Sequence, residues 1–307
     1  MTRHRLDPLP HLVTDVFDPS RPPVLTVRPG DEVEVRALDS GGFLERLPAG
    51  GGDAPRMFAS RRGHCLAGPV AVEGARPGDV LAVHVRSVRT AGWGWTVAGT
   101  PTPLNERLGA TDPVRVLWEV DDAAGTAVDE DGFEVRTAPF LGVLGTTLAE
   151  PGEHSTVPPR PGTGGNVDCR SLVAGSTVFL PVEVDGALLC VGDGHAAQGD
   201  GEVCGTAVEC GTTSVLGLDL VADPVLPGVH AVTPHERLTF GFDADLGAAT
   251  DAALGAMLTW LSALHDLPRT RALALASACV DLRVTQVANR TWGVHAALPH
   301  DALRRRR

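Results

Sequence analysis

Val191–Gly205 reads VGDGHAAQGDGEVCG, fifteen residues that set Asp193, His195, Asp200 and Glu202 among five glycines. The apolar run Ala187–Val191 leads into it and Val203–Val208 leads out, and both have the composition of short strands. Glycine opens backbone conformations closed to other residues and lets a ligand approach the main chain, so the middle is expected to be a loop between two core strands. Carboxylates are expensive to bury unless they are paired, protonated or bound to a cation. One imidazole and three carboxylates in such a loop therefore point to a hard or borderline metal, or to acid–base chemistry. A solvated acidic turn is the plain alternative; the flanking core-like strands weigh for a site.

Working outward, the pattern stays one of strands and turns. Val24–Val27 and Asp31–Ala37 flank Pro29-Gly30, and Ala71–Glu73 and Val80–Val88 flank Pro77-Gly78, in each case the residue order of a type II turn. Leu81, Val83 and Val85 alternate with His84 and Arg86, so His84 reads as a residue of the polar face. Residues 40–62 read as a loop that ends at His64, just before a turn and a strand. Trp93 and Trp95 stand where they could line a pocket or cover a core, and Val114–Val120 alternates up to a hairpin turn at Asp121–Gly125. The irregular stretch Glu150–Gly165 delivers the chain to Asp168, another carboxylate preceded by glycines. Thr177–Val184 and Ala187–Val191 are expected to pair about a turn at Asp185-Gly186. Past residue 240 the apolar spacing becomes helical over Leu246–His265, with Asp245 or Asp243 as cap and Pro268 beyond the end. A short helix over Arg271–Val280 and strands over Leu282–Val287 and Gly293–Leu298 follow. The fold class expected is mainly β, a sandwich- or barrel-like body with a small α+β C-terminal portion. The expected divisions are 1–150, a sandwich-like domain; 151–228, a barrel-like region carrying the acidic loop; and 229–307, the α+β portion.

The chain has 307 residues, 36 of them glycine and 24 proline, which favours many short strands over long helices. Its formal net charge of −12 gives nucleic acid little to bind outside the run Arg304–Arg307, which reads as a solvated tail. No apolar run approaches the about 20 residues that span a bilayer, and the N-terminus lacks a signal-type core, so no membrane partner and a cytoplasmic location are expected. The six cysteines form no Cys-x-x-Cys pair and read as reduced core thiols. Lysine is absent altogether. That absence excludes Ser–Lys and Cys–Glu–Lys amide hydrolysis, Schiff-base chemistry and lysine-dependent phosphate loops.

His64, Asp168, Asp193, His195, Asp200 and Glu202 each fall in an expected loop at the end of a strand. Mixed imidazole and carboxylate ligands suit a catalytic zinc, although the spacing fits neither His-Glu-x-x-His nor a calcium loop. Cys204, two residues beyond Glu202, is a rival nucleophile, with an inert strand thiol as the plainer reading. Several longer blocks then match a known family. HCLAGPVAVEGARPGD (64–79), GGNVD (164–168), AGSTVFLPV (174–182), GDGHAAQGDGEVCGTAVE (192–209) and DLRVTQV (281–287) resemble the acetamidase/formamidase family. The resemblance implies a cytoplasmic, usually homo-oligomeric enzyme that cleaves small linear amides to a carboxylic acid and ammonia, with a divalent metal, zinc, in the site. Carried over, it implies His64, Asp168, His195 and Asp193 as metal ligands, Glu202 as general base or further ligand, and Gln198 and Asp200 as further catalytic positions. Backbone N–H groups of the loop, or Gln198, would hold the developing oxyanion. A γ-lactam hydrolase of the same family, or an inactive β protein stabilised by metal, are the alternatives.

Overall fold

The computed structural model describes residues 1–305 apart from Gly50, Arg61, Pro101 and Ala222; Gly50 and Arg61 of the expected 40–62 loop, and Arg306 and Arg307 of the basic tail, lie outside the described residues. Two large sheets dominate it. The first has nine strands in the order Arg3–Leu6, Glu32–Ala37, Thr212–Val221, Val80–Thr90, Thr177–Pro181, His230–Val232, Glu236–Asp243, Trp292–Pro299 and Asp281–Gln286. Every neighbouring pair in it is antiparallel except the first. The second has eleven strands, with Leu189–His195 between Phe140–Gly145 and Glu209–Cys210 and also bonded to Leu66–Val72.

The sheets close on one apolar core. Val33, Val35, Leu81, Val83, Leu180, Leu216 and Leu218 from the first meet Val70, Leu141, Leu144, Leu189 and Val191 from the second. Each such side chain, fully buried, contributes about 1.5–3 kcal/mol. The fold is thus mainly β, as its turn-rich composition led one to expect. The helix Leu246–His265, capped by Asp245 accepting from the Ala248 N–H at 2.8 Å, packs Ala249, Ala253, Met257 and Leu261 onto Val294 and Ala296. The helix Arg269–Cys279 adds Ala272 and Ala276 to that cluster.

Three local expectations are corrected. Thr177–Pro181 and the strand that follows Asp185-Gly186 do not pair: the former lies in the first sheet, Leu189–His195 in the second. Gly186, Ala187 and Leu188 all take positive φ (77°, 63° and 50°), which turns the chain out of a hairpin and across to the facing sheet. The strand then runs on through Asp193 and His195, so half of the expected loop is strand, buried from end to end. Val203–Val208 forms no strand; pairing resumes only at Glu209–Cys210. The nine-stranded sheet also draws strands from all three of the stretches 1–150, 151–228 and 229–307. Such non-local pairing leaves no trace in local residue patterns.

Candidate active site

Leu189 and Val191 belong to the sandwich core; further along the same strand come Asp193 and His195, equally buried. Phe140 pairs with His195, Leu141 with Gly194 and Val143 with Gly192. On the other side Glu209 pairs directly with His195. Gly142 stands between these pairs and clears the space the acids need: a Cβ there would lie 2.6 Å from Asp168 Oδ1 and from Asp193 Oδ2, and 2.9 Å from His195 Cε1. The Gly142 carbonyl also accepts from the Val167 and Asp168 N–H groups, at 3.0 and 3.2 Å. Asp168, Asp193 and Glu202 each hold a left-handed backbone, with φ of 48°, 57° and 44°. Conformations of this kind cost about 1–3 kcal/mol each and persist where the surroundings over-determine them.

His195 is fixed from behind. Its ring meets Phe140 edge to face with centroids 5.0 Å apart. Gln198 Oε1 lies 2.9 Å from Nδ1, and Gln198 Nε2 donates to the Asp168 carbonyl at 2.7 Å. An amide oxygen can only accept, so Nδ1 carries a hydrogen and Nε2 is the nitrogen offered to the site. Nε2 lies 3.2 Å from Glu209 Oε1 and 3.5 Å from Asp193 Oδ1. Donor atoms of Asp168, Asp193 and His195 all fall within 4.8 Å of one another, and so do those of His195, Glu202 and Glu209.

The electrostatics follow from putting four acids and one imidazole in a dry place. Burial, then the charge of neighbouring Asp193, pushes Asp168 well above the usual carboxylate range; burial and Asp168 do the same to Glu202. Burial also works on Asp193, but the nearby His64 and His195 charges outweigh it and hold that carboxyl below its ordinary value. For His195 burial opposes protonation, while Glu209 and Asp193 together raise its pKa well above the ordinary histidine value. The same geometry that favours a proton on Nε2 favours any cation in that position.

Whether the residues fit a divalent cation is tested by their unpaired atoms. Both carboxylate oxygens of Asp168, His195 Nε2, Glu202 Oε2 and Glu209 Oε2 are buried without a hydrogen-bond partner among the described residues. Native interiors pair such groups or give them a metal. These five atoms come from four residues and fall in two groups that share His195; all nitrogen or oxygen, they suit a divalent ion.

The carboxylates open onto a cavity of about 250 Å³ walled by His64, Trp95, Asn166, Asp193, Glu202 and Glu209. His64 is held by Thr156, whose Oγ1 lies 2.7 Å from its backbone N and 3.0 Å from Nδ1; it stands on the cavity wall outside the two donor groups. Arg62 at the mouth is tied to Asp15 at 2.6 Å and to Glu153. Asp39, buried beside this wall, is pushed up to about 7, by burial first and then by Glu209.

Of the sequence-derived residues, then, Asp168, Asp193, His195 and Glu202 come together, with His64 at the rim. Asp200 does not: it is exposed and lines, with Arg170, a neighbouring cleft that shares Glu202 and Thr206 with the cavity. Gln198 holds His195 Nδ1 with its amide oxygen and the Asp168 carbonyl with its amide nitrogen, which ties the two residues together. Cys204 lines the neighbouring cleft and donates its thiol to the Thr206 carbonyl at 3.2 Å. Cys65, Cys169 and Cys190 are pushed up to about 12 by burial, as inert core thiols are. Sequence reasoning missed Glu209. The signal was there as a lone glutamate between Val208 and Cys210, a charge where a buried strand expects none.

The C-terminal portion finishes the site. Ala288 and Asn289 wall the cavity. Gly201 N–H donates to the Thr285 carbonyl at 3.0 Å, and Val287 N–H to the Gly201 carbonyl at 2.8 Å, which clamps the loop carrying Glu202 to the strand Asp281–Gln286.

Two large β sheets around a buried centre of one imidazole and four carboxylates place the chain in a class of β-rich proteins with a buried acidic centre. Comparison with known proteins narrows it. The model of the acetamidase/formamidase family matches residues 10–153 and 147–226. The chain belongs to that family, amidohydrolases of non-peptide C–N bonds. It is 28% identical to the acetamidase of Mycolicibacterium smegmatis over 323 residues, covering 80% of this chain and 78% of that protein. The crystal structure of an acetamidase from Bacillus halodurans superposes with a TM-score of 0.86 at 28% identity, covering 96% and 97% of the two chains. A γ-lactamase from Delftia acidovorans, at 22% identity and a TM-score of 0.65 over 99% and 93% of the chains, shares the fold.

Proposed function

We propose that the chain hydrolyses small linear amides of the acetamide and formamide type to carboxylate and ammonia, using a divalent ion, zinc as the family resemblance implies, held among Asp168, Asp193, His195 and Glu209. The observation that carries this is a cluster of unpaired, buried atoms on Asp168, His195, Glu202 and Glu209, the last two residues lining one small cavity. When bound, such an ion polarises a carbonyl and acidifies water. The chain's own residues supply the rest. Glu202, on a fixed left-handed backbone and with Oε2 unpartnered, takes a proton from the attacking water and returns it to the departing nitrogen. Burial and the Asp168 charge raise its pKa, which makes it a stronger base than an exposed carboxylate. Gln198 keeps the Nδ1 hydrogen of His195 in place, so that Nε2 faces the acids. Trp95 and Phe43, packed edge to face at 6.0 Å, help keep one side of the cavity dry. The volume, about 250 Å³, is below the ~300–1,000 Å³ of sites that hold drug-sized ligands, which favours a substrate of a few heavy atoms. The cytoplasmic homo-oligomer implied by the family resemblance completes the reading.

Glu202→Gln tests it. The variant is expected to keep its fold and its metal, and to lose on the order of 100- to 10,000-fold in ammonia release from acetamide. Turnover near that of the unaltered enzyme would remove Glu202 from the mechanism. Metal binding without ammonia from any small amide would return the protein to the class of metal-stabilised binding proteins.

A further inference from the structure

The cavity wall holds one polar group that the chemistry above leaves unused. Asn166 ends the strand Gly164–Asn166, where its backbone pairs with Val143, two residues before Asp168. Its side chain is 4% exposed and lines the cavity with His64, Glu202 and Glu209. Oδ1 of that side chain is buried and has no hydrogen-bond partner among the described residues. Other inward-facing carboxamides in the chain are tied down. Asn105 donates to the Thr100 and Cys204 carbonyls, each at 3.1 Å. Gln286 donates to the Thr291 carbonyl at 2.7 Å and accepts from the Ala288 N–H at 2.9 Å. Gln198 is engaged at both ends. A buried acceptor left unpaired costs about 1–3 kcal/mol, and the residue that carries this one lines the cavity.

We propose that Asn166 is the substrate-orienting residue of the site, its Oδ1 accepting an N–H of the substrate's primary amide. This rests on the amidase reading and adds to it the basis of selection. The cavity is rich in acids, and a carboxylate acceptor at this position would bring one more charge into it. A carboxamide oxygen accepts from the amide nitrogen while staying neutral. The contact also explains selection between reactant and product. A primary amide offers two N–H donors; an ester or the carboxylate product offers none, and either would set its own lone pairs against Oδ1. Sites built around a substrate N–H discriminate against analogues that lack it for this reason. The hydrogen bond further holds the amide nitrogen in place, so that once water has added to the carbonyl and the lone pair is no longer delocalised, nitrogen can take the proton that Glu202 delivers.

The test compares wild type with Asn166→Ala and with Asn166→Leu, which keeps most of the side-chain volume should the alanine variant fold poorly. Steady-state ammonia release gives KM and kcat for acetamide; methyl acetate, which presents the carbonyl without an N–H, is titrated as a competitive ligand, and metal content is read on the same samples. The expected result is a rise of about 10- to 100-fold in KM for acetamide, with the inhibition constant of methyl acetate and the metal content unchanged. Equal weakening of acetamide and methyl acetate, or loss of metal from both folded variants, would overturn the proposal, because Asn166 would then be packing or ligating. Variants that bind acetamide as wild type does would overturn it as well. Wild type that releases no ammonia from any primary amide would overturn the amidase reading itself, an outcome separate from a wild type that works and variants that do not differ.

Discussion

Replacing Gly142 with alanine would put one methyl carbon among three residues of the site. It would lie 2.6 Å from oxygens of Asp168 and Asp193, against the 3.4 Å at which ordinary contact begins, so each must retreat by about 0.8 Å. Little there can give. Asp168 and Asp193 sit on left-handed backbones, and His195, 2.9 Å from the new carbon, is wedged between the Phe140 ring and Gln198. Overpacking of this kind costs about 1–3 kcal/mol of stability. Metal sites tolerate displacements of only about 0.2 Å, and disturbing a single supporting contact already costs about 10- to 100-fold in affinity. With three candidate ligands displaced together, the expected loss is about 100-fold or more in zinc affinity, each tenfold being about 1.4 kcal/mol. Calorimetric titration of zinc into metal-free protein measures it, with acetamide turnover followed alongside. Gly199→Ala is the control, since a Cβ there meets nothing within 4 Å. Gly142→Ala protein that binds zinc and turns over acetamide like the control would refute the steric argument, and with it the placement of these three residues around one ion.

Removing the amide that orients His195, in Gln198→Ala, is expected to lower metal affinity and turnover by about 10- to 100-fold; unchanged values for both would deny Gln198 its positioning role. Burial, aided by the charge of Arg283, lowers the pKa of His295 from 6.5 to about 3. The unfolded chain therefore takes up that proton first, and the stability His295 contributes above pH 6.5 is lost as pH falls toward 3. Between pH 7 and pH 5 this amounts to about 2 kcal/mol, so His295→Gln, which can still pair with Thr285, is expected to flatten denaturant-measured stability over that interval. Parallel pH profiles for variant and wild type would show the group to be titrating normally.

Much of this architecture was legible in the chain because it rests on local chemistry. Pro-Gly turns announced the strands around residues 29 and 77, and Asp245 announced the helix it caps. The Asp193–His195 pair and Glu202 stood out because charges interleaved with glycine have few structural uses. What stayed hidden depends on distance in space. Glu209 joins the site only because its strand pairs with His195. Asp200, two residues from Glu202, turns to the surface, because Gly201 at φ 100° reverses the chain between them. Gly142 looks like any strand glycine until the three side chains above it are placed. The hairpin expected at Asp185-Gly186 failed because two non-glycine residues after it hold positive φ, which residue type does not foretell.

The central claim is that a cation held by Asp168, Asp193, His195 and Glu209, with Glu202 beside it as the base, carries the chemistry. Its most direct test is ammonia release from acetamide by the purified chain before and after dialysis against a chelator, with metal content measured on each sample. Activity that disappears with the metal and returns on adding zinc is the predicted outcome. Full turnover by protein free of metal would contradict it.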